Sequence, residues 1–186
     1  MNSLRMLNTL KLSAASPLKR GFQTSAIRNI KAGEAFPDAE LVEDSPGNKI
    51  NLSSALKKHD KAIVVGVPAA FSPACSSTHI PGYIKAASPL PVYVVSVNDP
   101  FVMKAWGDSL AASTGTAPQN IRYLGDPAGE LTRKLNMEFE SAKIFGNNRS
   151  KRYALVVEKG VVTKVAEEPD NTGVKVSRAE EVLKGL

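Results

Sequence analysis

Between residues 34 and 51 the chain reads EAFPDAELVEDSPGNKIN. Apolar and polar positions alternate around Ser45-Pro46-Gly47-Asn48, which predicts a two-stranded hairpin. Residues Leu52 to His59 predict a short helix capped by Asn51 or Ser53, with His59 at its solvated end. Two continuous β-branched runs follow, AIVVGV between Lys61 and Pro68 and VYVVSV over residues 92–97. Runs this short and apolar at nearly every position predict strands buried on both faces. Between them, STHIPGYIKAA after Cys75 predicts a helix kinked at Pro81, where a backbone donor is missing. Strand, helix and strand over residues 62–97 imply a parallel pair joined by a right-handed crossover.

Further along, Asn98-Asp99-Pro100 opens a helix to about Ala111, with proline well placed in its first turn. Ile121 to Leu124 predicts a short strand, and Asp126-Pro127 caps a helix running to about Leu135. Tyr153–Glu158 pairs with Val161–Val165 through a Lys159-Gly160 turn, and Ser177 caps a terminal helix, RAEEVLKGL. The whole reads as one α/β domain, a mixed sheet covered by helices, without an internal repeat or linker.

Composition changes this picture only at the N-terminus. A chain of 186 residues with 42% hydrophobic and 23% charged content suits one soluble domain, and no apolar run approaches the roughly 18 residues of a membrane span. The net charge of +6 lies entirely in residues 1–33, which hold Arg5, Lys11, Lys19, Arg20, Arg28 and Lys31 and no acid. The remainder carries 18 bases and 18 acids, so a nucleic-acid surface on the folded domain is unsupported. A Ser-, Leu- and Ala-rich, acid-free basic segment is the signature of a mitochondrial transit peptide. Residues 1–30 are therefore expected to be a leader, cleaved near Phe22 on import to the matrix, and residues 31–186 the domain.

Cys75 is the one cysteine, in PAAFSPACSSTHIPGY over residues 68–83. A free thiol is mostly protonated at neutral pH, and only the thiolate attacks. A helix starting near Pro73 or Ala74 places Cys75 in its first turn, where unpaired N–H groups favour an anion. Pro68 and Pro73 bracket the loop, and the Ser72 hydroxyl, three residues before the thiol, faces the same pocket. With two histidines and one cysteine far from any ligand spacing, metal binding is not expected, and nothing calls for a cofactor.

The spacing Pro68-x-x-x-Ser72-x-x-Cys75 resembles the active-site motif of peroxiredoxins, and VPAAFSPACSSTHIPGY resembles their peroxiredoxin-5 and plant type II subgroup. Ser72 stands where threonine is usual and keeps the hydroxyl. The resemblance extends through VNDPFVMKAWG from Val97, YLGDPAGELTRKL from Tyr123 and RSKRYALVVEKGVV from Arg149, covering roughly residues 32–186. It implies a thioredoxin-like fold and a thiol peroxidase acting on hydrogen peroxide and small alkyl hydroperoxides. Cys75 would be the peroxidatic cysteine and Arg152 the guanidinium beside it, with Arg149 its rival. Pro68, Phe71, Ala74 and His79 would line the pocket, and Phe71 and Phe145 would be either walls of the pocket or a homodimer contact, the resemblance implying the latter.

In animal members of that subgroup a second cysteine near the C-terminus resolves the sulfenic acid; the corresponding stretch, EPDNTGVKVSRA from Glu168, has Val176 there. The resemblance thus implies a one-cysteine cycle recycled by an external thiol, glutathione with glutaredoxin or thioredoxin. Two other functions compete. A dithiol oxidoreductase needs Cys-x-x-Cys, but Thr78 follows at that spacing; a redox-sensing or chaperone-like protein would use Cys75 only as a switch.

Overall fold

The computed structural model describes residues 28–186, and the greater part of the expected leader lies outside the described residues. Asn29 and Ile30, placed with the leader by sequence, are seated on the domain: Asn29 bonds to Glu167 and Asn136, and the Ile30 N–H to the Leu135 carbonyl.

The elements in chain order are β1 (Glu40–Glu43), β2 (Ser45–Asn51), α1 (Leu52–Leu56), β3 (Ala62–Gly66), a π-helical turn (Cys75–His79) continuing into α2 (Ile80–Ala86), and β4 (Val92–Ser96). Then come α3 (Pro100–Thr114), β5 (Ile121–Gly125), α4 (Glu130–Lys134), β6 (Glu138–Phe139), α5 (Ala142–Phe145), β7 (Arg149–Ser150), β8 (Tyr153–Glu158), β9 (Val161–Glu167) and α6 (Ala179–Val182). Seven strands form one mixed sheet in the order β2-β1-β5-β4-β3-β8-β9, with β6 and β7 pairing apart from it. β3, β4 and β5 run parallel, while β8 pairs antiparallel with β3 and with β9. This is the thioredoxin-like arrangement expected, a mixed central sheet flanked by helices.

The continuous apolar runs supply both faces of the sheet. Side chains alternate along a strand, so Ile63 and Val65 of β3 join Ile80, Tyr83, Met103, Trp106 and Val182 on one side. Ala62 and Val64 join Leu52, Leu56, Leu131, Leu135 and Leu155 on the other. Cys75 belongs to the first of these cores. At the end of β3 the sheet is especially close-packed: a Cβ on Gly66 would overlap the ring of its cross-strand partner Tyr153.

Several local expectations are corrected. The hairpin reverses at Asp44, in the left-handed region with φ 59°, and Ser45 to Asn48 belong to β2. Pairing passes from Glu43↔Ser45 to Val42↔Lys49, so Pro46, Gly47 and Asn48 bulge from the strand rather than form its turn. Asp126 does satisfy α4, accepting from the Leu131 and Thr132 N–H groups, but from five and six residues away, so that helix starts at Glu130. α3 runs on to Thr114, stopped by Gly115 at φ 68°. Ser177 caps nothing; it is buried, its hydroxyl donates to Glu168, and α6 is a single turn. His59 is half-buried against Tyr93, its Nε2 3.0 Å from the phenol oxygen, instead of solvated.

Candidate active site

The segment after β3 is shaped before any catalytic contact is made. The Val67 N–H still bonds to Val95 of β4, and Pro68 beyond it is buried. The Ala70 N–H donates to the Asn98 side chain, which also accepts from Ser96 at the end of β4, so the loop is tied to the parallel sheet. Phe71 takes φ 58°, an unusual conformation for a bulky residue. The chain then turns into the helix, whose first bond runs from the Ser76 N–H to the Ser72 carbonyl. The Cys75 N–H lies ahead of that bond, among the donors with no intrahelical carbonyl.

Instead of an α-helix kinked at Pro81, the chain makes one wide turn: the Ile80 N–H bonds to the Cys75 carbonyl five residues back. A proline ring crowds the carbonyl four residues before it, here that of Ser77, and the widened turn gives it room. Trp106 of α3 is buried in the core and also fastens this turn through its indole N–H to the Ser76 hydroxyl at 3.0 Å.

Two donors converge on the fully buried Cys75 sulfur. The Ser72 hydroxyl is 2.8 Å from Sγ and 3.0 Å from the Ala69 carbonyl, with one proton to direct to either. Arg152 Nη1 donates to Sγ at 3.2 Å from the segment just before β8. A guanidinium has donors only, so this is a contact suited to a thiolate. The same Nη1 lies 3.1 Å from His79 Nδ1, while His79 Nε2 lies 3.0 Å from the Ser177 carbonyl. A carbonyl can only accept, so Nε2 carries the proton and Nδ1 accepts from Arg152. Burial, then the Arg152 charge, pushes the His79 pKa down to about 4, which keeps the ring neutral as this pattern requires.

Of the residues singled out from sequence, Cys75, Ser72, Arg152 and His79 are brought together. His79 has both ring nitrogens engaged by protein groups, so it acts on Arg152 and has none free for a substrate. Arg149 is elsewhere: it donates to the Val97 carbonyl and lies over the Phe145 ring at 5.4 Å. Phe71 is 54% exposed and Ala74 half-buried. Sequence reading missed Asn98, Glu168 and Ser177. Asn98 is joined to Ala70 across 28 residues and Ser177 to His79 across 98. Glu168 reaches Lys175 and Ser177 only through an irregular loop that has no period to read, and only the Asn-Asp-Pro stretch at Asn98 carried any local signal.

Comparison with known proteins bears on the family and the fold. The redoxin family matches residues 31–183. Peroxisomal membrane associated protein 20 of Schizosaccharomyces pombe is 39% identical over 163 residues, covering 84% of this chain and 99% of that protein. Chloroplastic peroxiredoxin-2E-2 of Oryza sativa subsp. japonica is 38% identical over 174 residues, 88% of this chain and 75% of that one. Among solved structures, reduced Prx3 of Vibrio vulnificus in complex with hydrogen peroxide superposes with a TM-score of 0.72 at 35% identity, covering 84% of this chain and 99% of its own. Peroxiredoxin 5 of Alvinella pompejana does so with a TM-score of 0.66 at 36% identity, over 77% and 92%. A lone thiol held by a hydroxyl and a guanidinium on this fold, with relatives of this kind, places the chain among the peroxiredoxins of the peroxiredoxin-5 type, which are thiol peroxidases.

Proposed function

We propose that the chain reduces hydrogen peroxide and small alkyl hydroperoxides at Cys75 and is regenerated by external thiols in a one-cysteine cycle. The observation that carries this is the convergence of Ser72 Oγ and Arg152 Nη1 on a single sulfur. The thiolate attacks the terminal peroxide oxygen; an S–O bond forms as the O–O bond breaks, and the departing hydroxide or alkoxide takes up a proton to leave as water or alcohol. Negative charge moves from sulfur to oxygen during the attack. Donors already aimed at that region, the Ser72 hydroxyl, the Arg152 guanidinium and the Cys75 N–H, stabilise it without reorganising. Burial of the sulfur favours small hydroperoxides.

Cysteine has become a sulfenic acid. An external thiol then displaces water to give a mixed disulfide, and a second thiol releases the reduced enzyme with one external disulfide. Glutathione with glutaredoxin is the natural supply, since no second cysteine is present to form an internal disulfide; thioredoxin is the alternative. Pro68 and Ala74 would bound the pocket, with Phe71 on its outer side in a homodimer contact. The basic leader would direct the chain to the mitochondrial matrix.

The test mixes the reduced protein with hydrogen peroxide and follows Cys75 by rapid quench and intact mass, beside the unfolded chain at the same pH. Oxidation orders of magnitude faster in the folded protein, with a gain of one oxygen, is expected. Equal rates would leave Cys75 as a packed or signalling cysteine.

A further inference from the structure

We propose that Glu168, buried just after the end of β9, is a positioning residue for the Arg152 guanidinium; this deepens the peroxidase reading and rests on it. Glu168 is 1% exposed, and its Oε1 accepts from the Lys175 N–H at 2.7 Å, the Ser177 N–H at 2.9 Å and the Ser177 hydroxyl at 2.8 Å. Its own N–H donates to the Arg152 carbonyl at 3.0 Å. One carboxylate oxygen therefore draws residues 168–177 into a closed loop anchored on Arg152.

The carbonyls of that loop are what Arg152 and its neighbours use. The Asn171 carbonyl accepts from the Arg152 N–H at 2.7 Å and the Thr172 carbonyl from its Nε–H at 3.0 Å. The Ser177 carbonyl accepts from His79 Nε2 and, at 2.7 Å, from the Tyr83 hydroxyl. His79 in turn accepts from the Nη1 that touches sulfur. Among the described residues the Arg152 guanidinium is thus aimed by neutral acceptors, the Thr172 carbonyl and His79 Nδ1, and Glu168 sets where those acceptors stand. The tip of the loop is shaped by its own turn, the Thr172 and Gly173 N–H groups donating to Asp170, so its closure depends on the Glu168 end. Burial pushes the Glu168 carboxyl upward, but donors from Ser177, Lys175 and Val176 outweigh it and hold it below the ordinary carboxylate range, so it serves as an anion near neutral pH.

The experiment compares wild type, Glu168→Gln, Arg152→Met and the double variant by two readouts. One is the second-order rate of Cys75 oxidation by hydrogen peroxide; the other is solvent exchange of the Arg152 Nε–H by nitrogen-edited NMR. Glu168→Gln is expected to slow oxidation about tenfold, as loss of a charged hydrogen-bond acceptor does, and to unmask the Arg152 Nε–H to exchange. In the Arg152→Met background it should cost nothing more, because its effect passes through that guanidinium. A multiplicative loss in the double variant, or a protected Nε–H in Glu168→Gln, would overturn the proposal. If wild type oxidises no faster than unfolded chain while the Nε–H is protected in wild type and unmasked in Glu168→Gln, the positioning stands and the peroxidase reading falls. Should Glu168→Gln not fold, Ser177→Ala removes one of the three donors, keeps the backbone, and should act in the same direction by about threefold.

Discussion

At the scale of single residues, the site depends on who donates to whom. Ser72 contributes a hydroxyl, and threonine would contribute the same one; Ser72→Thr should hold the peroxide rate near wild type, while Ser72→Ala should lower it about 10- to 100-fold, the usual worth of a hydrogen bond to a charged atom. Stopped-flow oxidation of the two variants decides this, and equal rates would remove the hydroxyl from the mechanism. His79 carries a pH signature. Its folded pKa of about 4 lies below the unfolded value near 6.5, so the unfolded chain binds the extra proton between them. The stability owed to the neutral ring is complete above about pH 6.5 and is lost progressively as pH falls through about 4, amounting to roughly 3 kcal/mol. Wild type should lose melting temperature across that window more steeply than His79→Gln, and parallel curves would contradict the assignment.

At the scale of elements, the strand end that launches the loop matters as much as the loop. Gly66 is followed within two residues by Pro68 and faces Tyr153, the first residue of β8 and next to Arg152. A methyl there would drive the buried ring and the start of β8 outward together. Gly66→Ala should therefore destabilise the fold by about 1–3 kcal/mol, the ordinary cost of overpacking, and slow Cys75 oxidation with it. Chemical denaturation and the oxidation rate check the two halves, and a stable variant of full activity would show that β8 gives way freely. The strands themselves were legible because a central parallel strand must be apolar on both faces. The π-helical turn was not: Pro81 announces a disturbance, but whether the chain kinks or widens depends on what packs against it, here Trp106 bonding to Ser76.

At the scale of the whole molecule, three segments meet around Asn98 and Val97, held by the Ala70–Asn98 and Arg149–Val97 bonds. On them Phe71, Phe101 and Ile144 are 54%, 61% and 77% exposed. Large apolar side chains turned outward on these segments are where the homodimer proposed above would bury its contact. Sedimentation should find a dimer of the 19.8 kDa chain that Phe101→Glu converts to monomer. A wild type that remains monomeric at rising concentration would remove the dimer from the account. The neutral balance of charge after residue 33 leaves little long-range field to oppose self-association.

Sequence alone determined the strand core, the helical crossover and the neighbourhood of Cys75, because period, proline placement and the Pro-x-x-x-Ser-x-x-Cys spacing act over a few residues. It also picked Arg152 over Arg149, through the resemblance and not through any local rule. Tertiary structure decided the rest. The hairpin turn moved to Asp44, where pairing with β1 rather than turn propensity set the reversal. Ser177 became a buried acceptor and donor instead of a helix cap, because Glu168, nine residues earlier, claims its hydroxyl. Arg152 reaches a sulfur 77 residues away, and His79 a carbonyl 98 residues away. Contacts of that separation leave no periodicity in the chain, since their geometry exists only once the sheet has brought β3 and β8 side by side.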